Sequence, residues 1–205
     1  MKKIGLIAMS AKPAHLGHWS LITKAASEND VVELFVSASD RTRSGEIPIY
    51  GSDMETIWNM YLVPELPENV SVSFGGSPVG NIYSFLESEE DKNAPENTYV
   101  IYSDPVDLKR NFSVRALNNS VPLLLRNKQV KLQDVSREGG INISGTAMRQ
   151  YLANDKQEEF LKYLPPISKD NKVAIWNILR SPIVTEQMFK RYISKKCLGE
   201  NINLP

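Results

Sequence analysis

The feature that most narrows the possible folds is a regular alternation of short apolar runs with amphipathic stretches. Ile4–Met9 (IGLIAM) is a continuous apolar run, the pattern of a strand buried on both faces, and Val31–Val36 (VVELFV) is a second. Between them, within Leu16 to Ser27, the residues Leu21, Ile22, Ala25 and Ala26 fall on one helical face. Ser52 and Glu55 read as a capping box ahead of Ile57, Trp58, Tyr61 and Leu62, a helix that Pro64 would end. Val70–Phe74 predicts a third strand, and Val79–Glu90 a helix with Ile82, Phe85 and Leu86 inward. Thr98–Tyr102 predicts a fourth strand and Gln129–Val135 a fifth. The polar stretch 104–128, with its VPLLL segment, has no decisive period.

Strands separated by helices pair in parallel, because a tight turn cannot reverse the chain between them. The expected architecture is therefore α/β: a Rossmann-like, doubly wound, parallel five-stranded sheet with helices on both faces. From Gly145 onward helical patterns dominate, broken at Pro165-Pro166. The chain accordingly divides into a domain over 1–164 and a helical C-terminal extension over 165–205. That extension carries Val173, Trp176, Ile178 and Leu179, then Ile183, Met188, Phe189, Tyr192 and Ile193. The Trp58–Tyr61 and Phe160–Leu164 stripes read as core.

Composition excludes several functions. Lys+Arg and Asp+Glu are both 24 in 205 residues, so no overall surplus of cations exists to displace the counterions of a nucleic acid. One cysteine (Cys197) and two histidines leave neither an internal disulfide nor a zinc-site spacing. No run approaches the ~20 apolar residues of a membrane span. The apolar run after Lys2-Lys3 stops at Met9, which is short for a signal peptide. A cytoplasmic protein that binds neither nucleic acid nor membrane is expected.

The chemistry-bearing residues gather at strand ends and helix starts. Both histidines stand in Pro13-Ala14-His15-Leu16-Gly17-His18, directly after the first strand, where a helix N-terminus favours anions. An i, i+3 pair can aim both imidazoles at one phosphate, and Gly17 leaves the backbone open to a ligand. The plainer alternative is one satisfied core histidine and one solvated one. Farther on, Ser144 is an N-cap, and Ser144, Gly145 and Thr146 with Arg149 one turn later form an anion cradle, or else a capped helix with a surface arginine. Ser103-Asp104 follows the fourth strand. The loop 39–50 carries Arg41 and Arg43, cations for phosphate or for an anionic acceptor if it is more than a solvated loop, and Lys12 is a further phosphate candidate.

His15-Leu16-Gly17-His18 resembles the His-x-Gly-His motif of the nucleotidyltransferase superfamily, which includes cytidylyltransferases and nicotinamide-nucleotide adenylyltransferases. Ser10 and Pro13 also match the pattern before it, while Met9, Ala11 and Lys12 replace its usual Gly, Phe and Asp/Asn. Ile143 to Arg149 matches the superfamily's Ile-Ser-x-Thr-x-x-Arg, and the resemblance spans residues 3–153. It implies that a small, phosphorylated acceptor attacks the α-phosphate of CTP or ATP in line, releasing pyrophosphate. Catalysis is implied at His15, His18 and Arg149, and nucleotide binding at Ser10, Lys12, Gly17, Ser144, Gly145 and Thr146. Arg41, Arg43, Ser103 and Asp104 would serve the acceptor. Mg²⁺ would be carried mainly by the nucleotide phosphates, with no metal site in the protein itself.

Arg137-Glu138-Gly139 is similar to the run before the second motif in glycerol-phosphate cytidylyltransferases, whereas Ile-Ser-Gly-Thr is similar to the adenylyl branch. The reading leans to the cytidylyl label, with nicotinamide-nucleotide-type adenylyl transfer as the alternative. The tail LPPISKDNKVAIWNIL resembles compact members carried by bacteriophages. Expected partners are a small-molecule nucleotide and its acceptor, with a homo-oligomer through the tail left open. A nucleotide-binding sensor without turnover is the alternative from another class.

Overall fold

A computed structural model describes residues 1–92, 96–135 and 143–182 of the protein. The apolar runs form β1 (Lys3–Met9), β2 (Val31–Val36), β3 (Val70–Phe74), β4 (Thr98–Ser103) and β5 (Val130–Asp134). All pair in parallel, in the order β3-β2-β1-β4-β5. The first strand is therefore central, flanked in register by β2 (Ile7 opposite Leu34) and by β4 (Ile7 opposite Tyr102). The chain leaves β1 in one direction and returns to its other side at β4, which opens a crevice beyond the carboxyl ends of these two strands.

Because side chains alternate across a strand, each strand feeds two cores. Ile7 and Met9 of β1 join Val32, Leu34 and Val36 of β2 on one face, against Ile22 and Ala25 of α1 (Leu16–Glu28). Ile4 and Leu6 point to the other face. They pack with Phe35, Tyr99 and Ile101 against Ile82 and Leu86 of α3 (Pro78–Asp91), which follows α2 (Gly51–Ile57) in the chain. Such double-sided burial explains why β1, β2 and β4 read as near-continuous apolar runs.

The undecided stretch 104–128 is helical: α4 (Pro105–Asn111), α5 (Val114–Ser120) and α6 (Pro122–Arg126) place Leu108, Leu117 and Leu124 in the second core. In α2 the expected capping box does not form. The helix begins at Gly51, its N-cap Tyr50 offers no side-chain cap, and Asp40 Oδ1 accepts the Gly51 N–H at 2.7 Å from across the loop. Pro64 does not stop the helix at once. The chain passes through a π turn (Trp58–Leu62) and a 3₁₀ turn (Val63–Glu65) in which Pro64 is tolerated near the N-terminus.

Helices α7 (Gly145–Ala153) and α8 (Gln157–Tyr163) close the first core through Met148, Leu152 and Phe160. The chain is helical again over 169–182. Ile167, Ile175, Trp176 and Leu179 of the extension are buried in that same core, with the Trp176 ring edge-on to Phe160 at 5.3 Å. Arg180 ties the segment down: it donates to Leu152 O at 2.6 Å and pairs with Asp155 at 3.0 Å. The tail residues Ile183, Met188, Phe189, Tyr192, Ile193 and Cys197, and the run Arg137–Gly139, lie outside the described residues. Among the described residues no helix is long and apolar enough to cross a membrane.

Candidate functional site

The two histidines build the start of α1 themselves. His15 is the N-cap, and its Nδ1 accepts the Gly17 N–H at 3.1 Å, while His18 Nδ1 accepts the His15 N–H at 3.3 Å. This is a capping box made of imidazoles, with ring centroids 3.8 Å apart. A ring that accepts at Nδ1 carries its neutral-form proton on Nε2, so the box sets one tautomer for both histidines. Gly17 is required by the arrangement, because a Cβ there would lie 3.1 Å from the His15 ring.

Both rings line a cavity of about 980 Å³ in the crevice between β1 and β4. Ser10, Gly17, Ser103 and Asp104 share its walls. Asp104 is also the N-cap of α4, its Oδ1 accepting the N–H groups of Val106 and Asp107, each at 2.9 Å. Asp104→Ala is therefore expected to cost about 1 kcal/mol in a denaturant melt, and Asp104→Asn much less, whatever Asp104 does for a ligand. Wall residues that sequence reasoning missed are Lys24, Tyr102, Asp107, Asn111, Gln133 and Asp134. Lys24 was detectable as the next member of the His15, His18, Leu21 stripe on α1. Its ammonium pairs with Glu28 at 2.8 Å, and Glu28 in turn accepts the Tyr102 hydroxyl at 2.8 Å. Burial, with Glu28 adding to it, pushes the Tyr102 phenol up to about 12, so this relay stays neutral at the tyrosine over the working pH range.

A second cavity of about 330 Å³ shares Ser10 with the first and is lined by Lys12, Ser39, Asp40, Arg41, Thr42 and Arg43. Lys12 is buried, and its Nζ donates to Ser37 O at 2.9 Å. Burial lowers its pKa, with Asp40 opposing and Arg41 reinforcing that shift. The loop 39–50 exposes Ser39, Asp40 and residues 42–45 but is anchored to the fold at Arg41, Ile47 and Ile49. Arg41 and Ile49 exchange both backbone hydrogen bonds, and Ile47 and Ile49 are buried in the first core.

The second motif meets the first here. Ser144 caps α7 by accepting the Ala147 N–H at 3.2 Å. Arg149 is buried; it donates to Lys12 O at 2.8 Å and to Thr146 Oγ1 at 3.0 Å, and its Nε lies 2.9 Å from Glu46 Oε2. Gly145 leaves room for this, since a Cβ would stand 3.1 Å from Arg149 Nη1. Arg149 is thus an interior clasp rather than a surface cation. Ser144, Gly145, Thr146 and Arg149 stand behind the loop after β1 and are not on the walls of either cavity. Glu46, which sequence reasoning did not single out, forms ion pairs with Arg149 and Arg41 together and accepts hydrogen bonds from Arg41. Burial works to raise its carboxyl, but the Arg41 hydrogen bonds and the charges of Arg149 and Arg41 outweigh it and hold the group below its usual range.

Comparisons with known proteins fit this geometry. A family model for the C-terminal domain of citrate lyase ligase matches residues 4–46, from β1 through the loop that ends at Glu46. No curated protein matches the chain in sequence. Among solved structures, a Vibrio parahaemolyticus protein described as a nicotinate-nucleotide adenylyltransferase superposes with a TM-score of 0.56 at 16% identity, covering 87% of this chain and 99% of that one. The Plasmodium falciparum nicotinic acid mononucleotide adenylyltransferase, complexed with NaAD, gives 0.52 at 16% identity over 87% of this chain and 98% of that one. A bifunctional NMN adenylyltransferase/ADP ribose pyrophosphatase from Francisella tularensis gives 0.52 at 15%, with 95% of this chain aligned to 56% of the longer protein. What the chain shares with these proteins is their fold: a five-stranded parallel α/β sheet of Rossmann-like type, as its alternating sequence predicts.

Proposed function

We propose that the protein is a nucleotidyltransferase: it moves a nucleoside monophosphate from a nucleoside triphosphate to a small phosphorylated acceptor and releases pyrophosphate. The observation that carries this reading is the hydrogen bond from Arg149 to Lys12 O at 2.8 Å, across 137 positions of sequence. It draws the Ile143–Arg149 segment onto the loop beside the paired histidines. Chance resemblance of either segment to a family motif would not require the two to meet.

Transfer of this kind needs no covalent intermediate, so the site works by positioning and charge stabilisation. The His15–His18 box lines the crevice where charge grows on an α-phosphate under attack, and its imidazoles serve that charge. Ser10, Lys12 and Gly17 serve the phosphates of the donor; Ser144, Gly145 and Thr146 start the helix that stands behind that loop, and Arg149 clasps the two segments. Ser103 and Asp104 serve the acceptor, and Arg41 and Arg43, on the wall of the second cavity, close on phosphate oxygens. A cavity of about 980 Å³ accommodates a nucleotide with a small second substrate.

Among the described residues no cluster of three His, Cys, Asp or Glu side chains is placed to hold a metal ion. Mg²⁺ carried by the substrate phosphates would, when bound, neutralise charge on the leaving pyrophosphate, with Asp40 the carboxylate on the wall of the second cavity. The adenylyltransferase activities by which the structural neighbours are described favour ATP as donor and a mononucleotide such as nicotinic acid mononucleotide as acceptor. CTP remains the second donor to test.

The test is a thermal-shift panel of ATP, CTP, GTP and UTP with Mg²⁺, followed by pyrophosphate release with the stabilising nucleotide and a set of phosphorylated acceptors. One triphosphate should raise the melting temperature, by the linkage of binding to folding. Pyrophosphate should then appear only when an acceptor is present. Stabilisation without pyrophosphate from any acceptor identifies a nucleotide sensor instead, and the absence of both overturns the reading.

A further inference from the structure

Glu46 holds two arginines that come from opposite ends of the chain. Its Oε2 lies 2.8 Å from Arg41 Nη2 and 2.9 Å from Arg149 Nε. Arg41 also donates through Nε to Oε2 at 2.9 Å and through Nη2 to Oε1 at 3.1 Å, a two-pronged fork. Two guanidinium groups converging on one oxyanion is also how proteins take hold of phosphate. The local charge is not balanced by Glu46, since Lys12 and Arg43 stand nearby with Asp40 as the other carboxylate.

Resting on the nucleotidyl-transfer reading, we propose that Glu46 is a resident substitute for phosphate. Its carboxylate occupies the Arg41–Arg149 pair in the free protein and is exchanged for oxygens of a polyphosphate, either the triphosphate of a nucleotide or pyrophosphate.

The surrounding structure permits that exchange without moving the backbone. The loop is fixed by the paired hydrogen bonds between Arg41 and Ile49, at 2.8 and 3.0 Å, and by the buried Ile47 and Ile49. Gly45, at φ +77°, completes the turn in which the Glu46 N–H donates to Arg43 O at 3.1 Å. Only the Glu46 side chain has to rotate, and with 29% of it exposed it has a path to water. Arg149 keeps its position when Glu46 leaves, because its two Nη groups remain bonded to Lys12 O and Thr146 Oγ1.

An internal competitor lowers apparent affinity by the fraction of time the arginines are occupied. A single phosphate brings too little charge to displace the carboxylate readily, whereas a di- or triphosphate brings more charge and further oxygens for Lys12 and Arg43. Glu46 therefore acts as a filter for polyphosphate over monophosphate.

Calorimetric titration of the full chain with inorganic tripolyphosphate and with orthophosphate, at one fixed low ionic strength, tests the exchange. Glu46→Gln should bind tripolyphosphate on the order of tenfold more tightly than the wild type and discriminate less against orthophosphate. Adding Arg41→Gln to that variant should remove the gain. The wild-type chain supplies an independent readout: carbodiimide labelling of Glu46, followed by mass spectrometry, should rise when tripolyphosphate is added. Unchanged or weaker binding by Glu46→Gln, or labelling that does not rise, overturns the proposal, with Glu46 then simply orienting the arginines. If that happens while Mg²⁺–nucleotide still stabilises the wild type, nucleotidyl transfer stands without the exchange. If neither nucleotide nor tripolyphosphate binds any variant, both ideas fall.

Discussion

Replacing His18 by alanine is expected to slow pyrophosphate release by about 10²–10³-fold, the usual loss when one positioned donor to a developing oxyanion is removed. The fold should survive, because what His18 gives α1 is the second half of its capping box, through Nδ1. That loss is about 0.5–2 kcal/mol, within what a domain of this size tolerates. The two roles of the ring can be separated. In His18→Asn the amide oxygen reaches about where Nδ1 sits, so the variant should recover the cap and still lack turnover. His18→Gln retains a donor near Nε2 and should keep part of the rate at the expense of the cap. A His18→Ala enzyme with undiminished pyrophosphate release would remove His18 from the chemistry and leave the imidazole pair as a helix-capping device.

Gly51→Ala should be the most damaging single methyl group among the loop positions around the site. A Cβ at Gly51 would lie 1.7 Å from Ala38 O, a backbone atom that cannot swing aside. Relief requires the start of α2 to move away from the end of β2, which pulls the Gly51 N–H off Asp40 and disturbs the wall of the second cavity. We expect a loss of about 3 kcal/mol in urea unfolding, the upper range for overpacking, together with weakened nucleotide stabilisation. Ser52→Ala is the matching control. Its hydroxyl caps nothing in α2, so the change should stay within about 0.5 kcal/mol. A larger loss from Ser52→Ala than from Gly51→Ala would mean that the helix begins two residues later, with Ser52 as its N-cap, as the Ser-x-x-Glu pattern suggests.

That contrast shows what sequence reasoning could and could not reach. Strands buried on both faces announce themselves as apolar runs, so β1, β2 and β4 were legible almost to the residue. Helices α4, α5 and α6, of 7, 7 and 5 residues, are too short to display a 3.6-residue period. Their beginnings were nonetheless written in Asp104-Pro105 and Pro122, which place proline in the first helical turn. The Ser52–Glu55 pattern misled because the helix starts earlier, at Gly51, whose N–H is taken by Asp40 from the far end of the preceding loop, so that Ser52 already lies inside the first turn.

In the candidate site, sequence reasoning singled out residues whose pattern is local: His15, Gly17 and His18 around one turn, and Ser144, Gly145, Thr146 and Arg149 around another. Glu46 was invisible for the opposite reason. Its importance comes from an arginine on α7 that only folding brings near. The burial of Arg149 was equally hidden, since a cation one turn into a helix reads as exposed until the chain packed over it is known.

The clasp between Arg149 and the Lys12 carbonyl also bears on how the protein is made. The paired histidines leave the ribosome early, and the arginine only after β5 and the start of α7 have followed. Contacts between such distant segments carry the largest loop-closure cost and form after the local ones. A growing chain therefore holds its imidazole pair for most of its synthesis with the arginine clasp still absent. A prematurely released chain that ends before α7 lacks the clasp altogether, however well its first strands have folded.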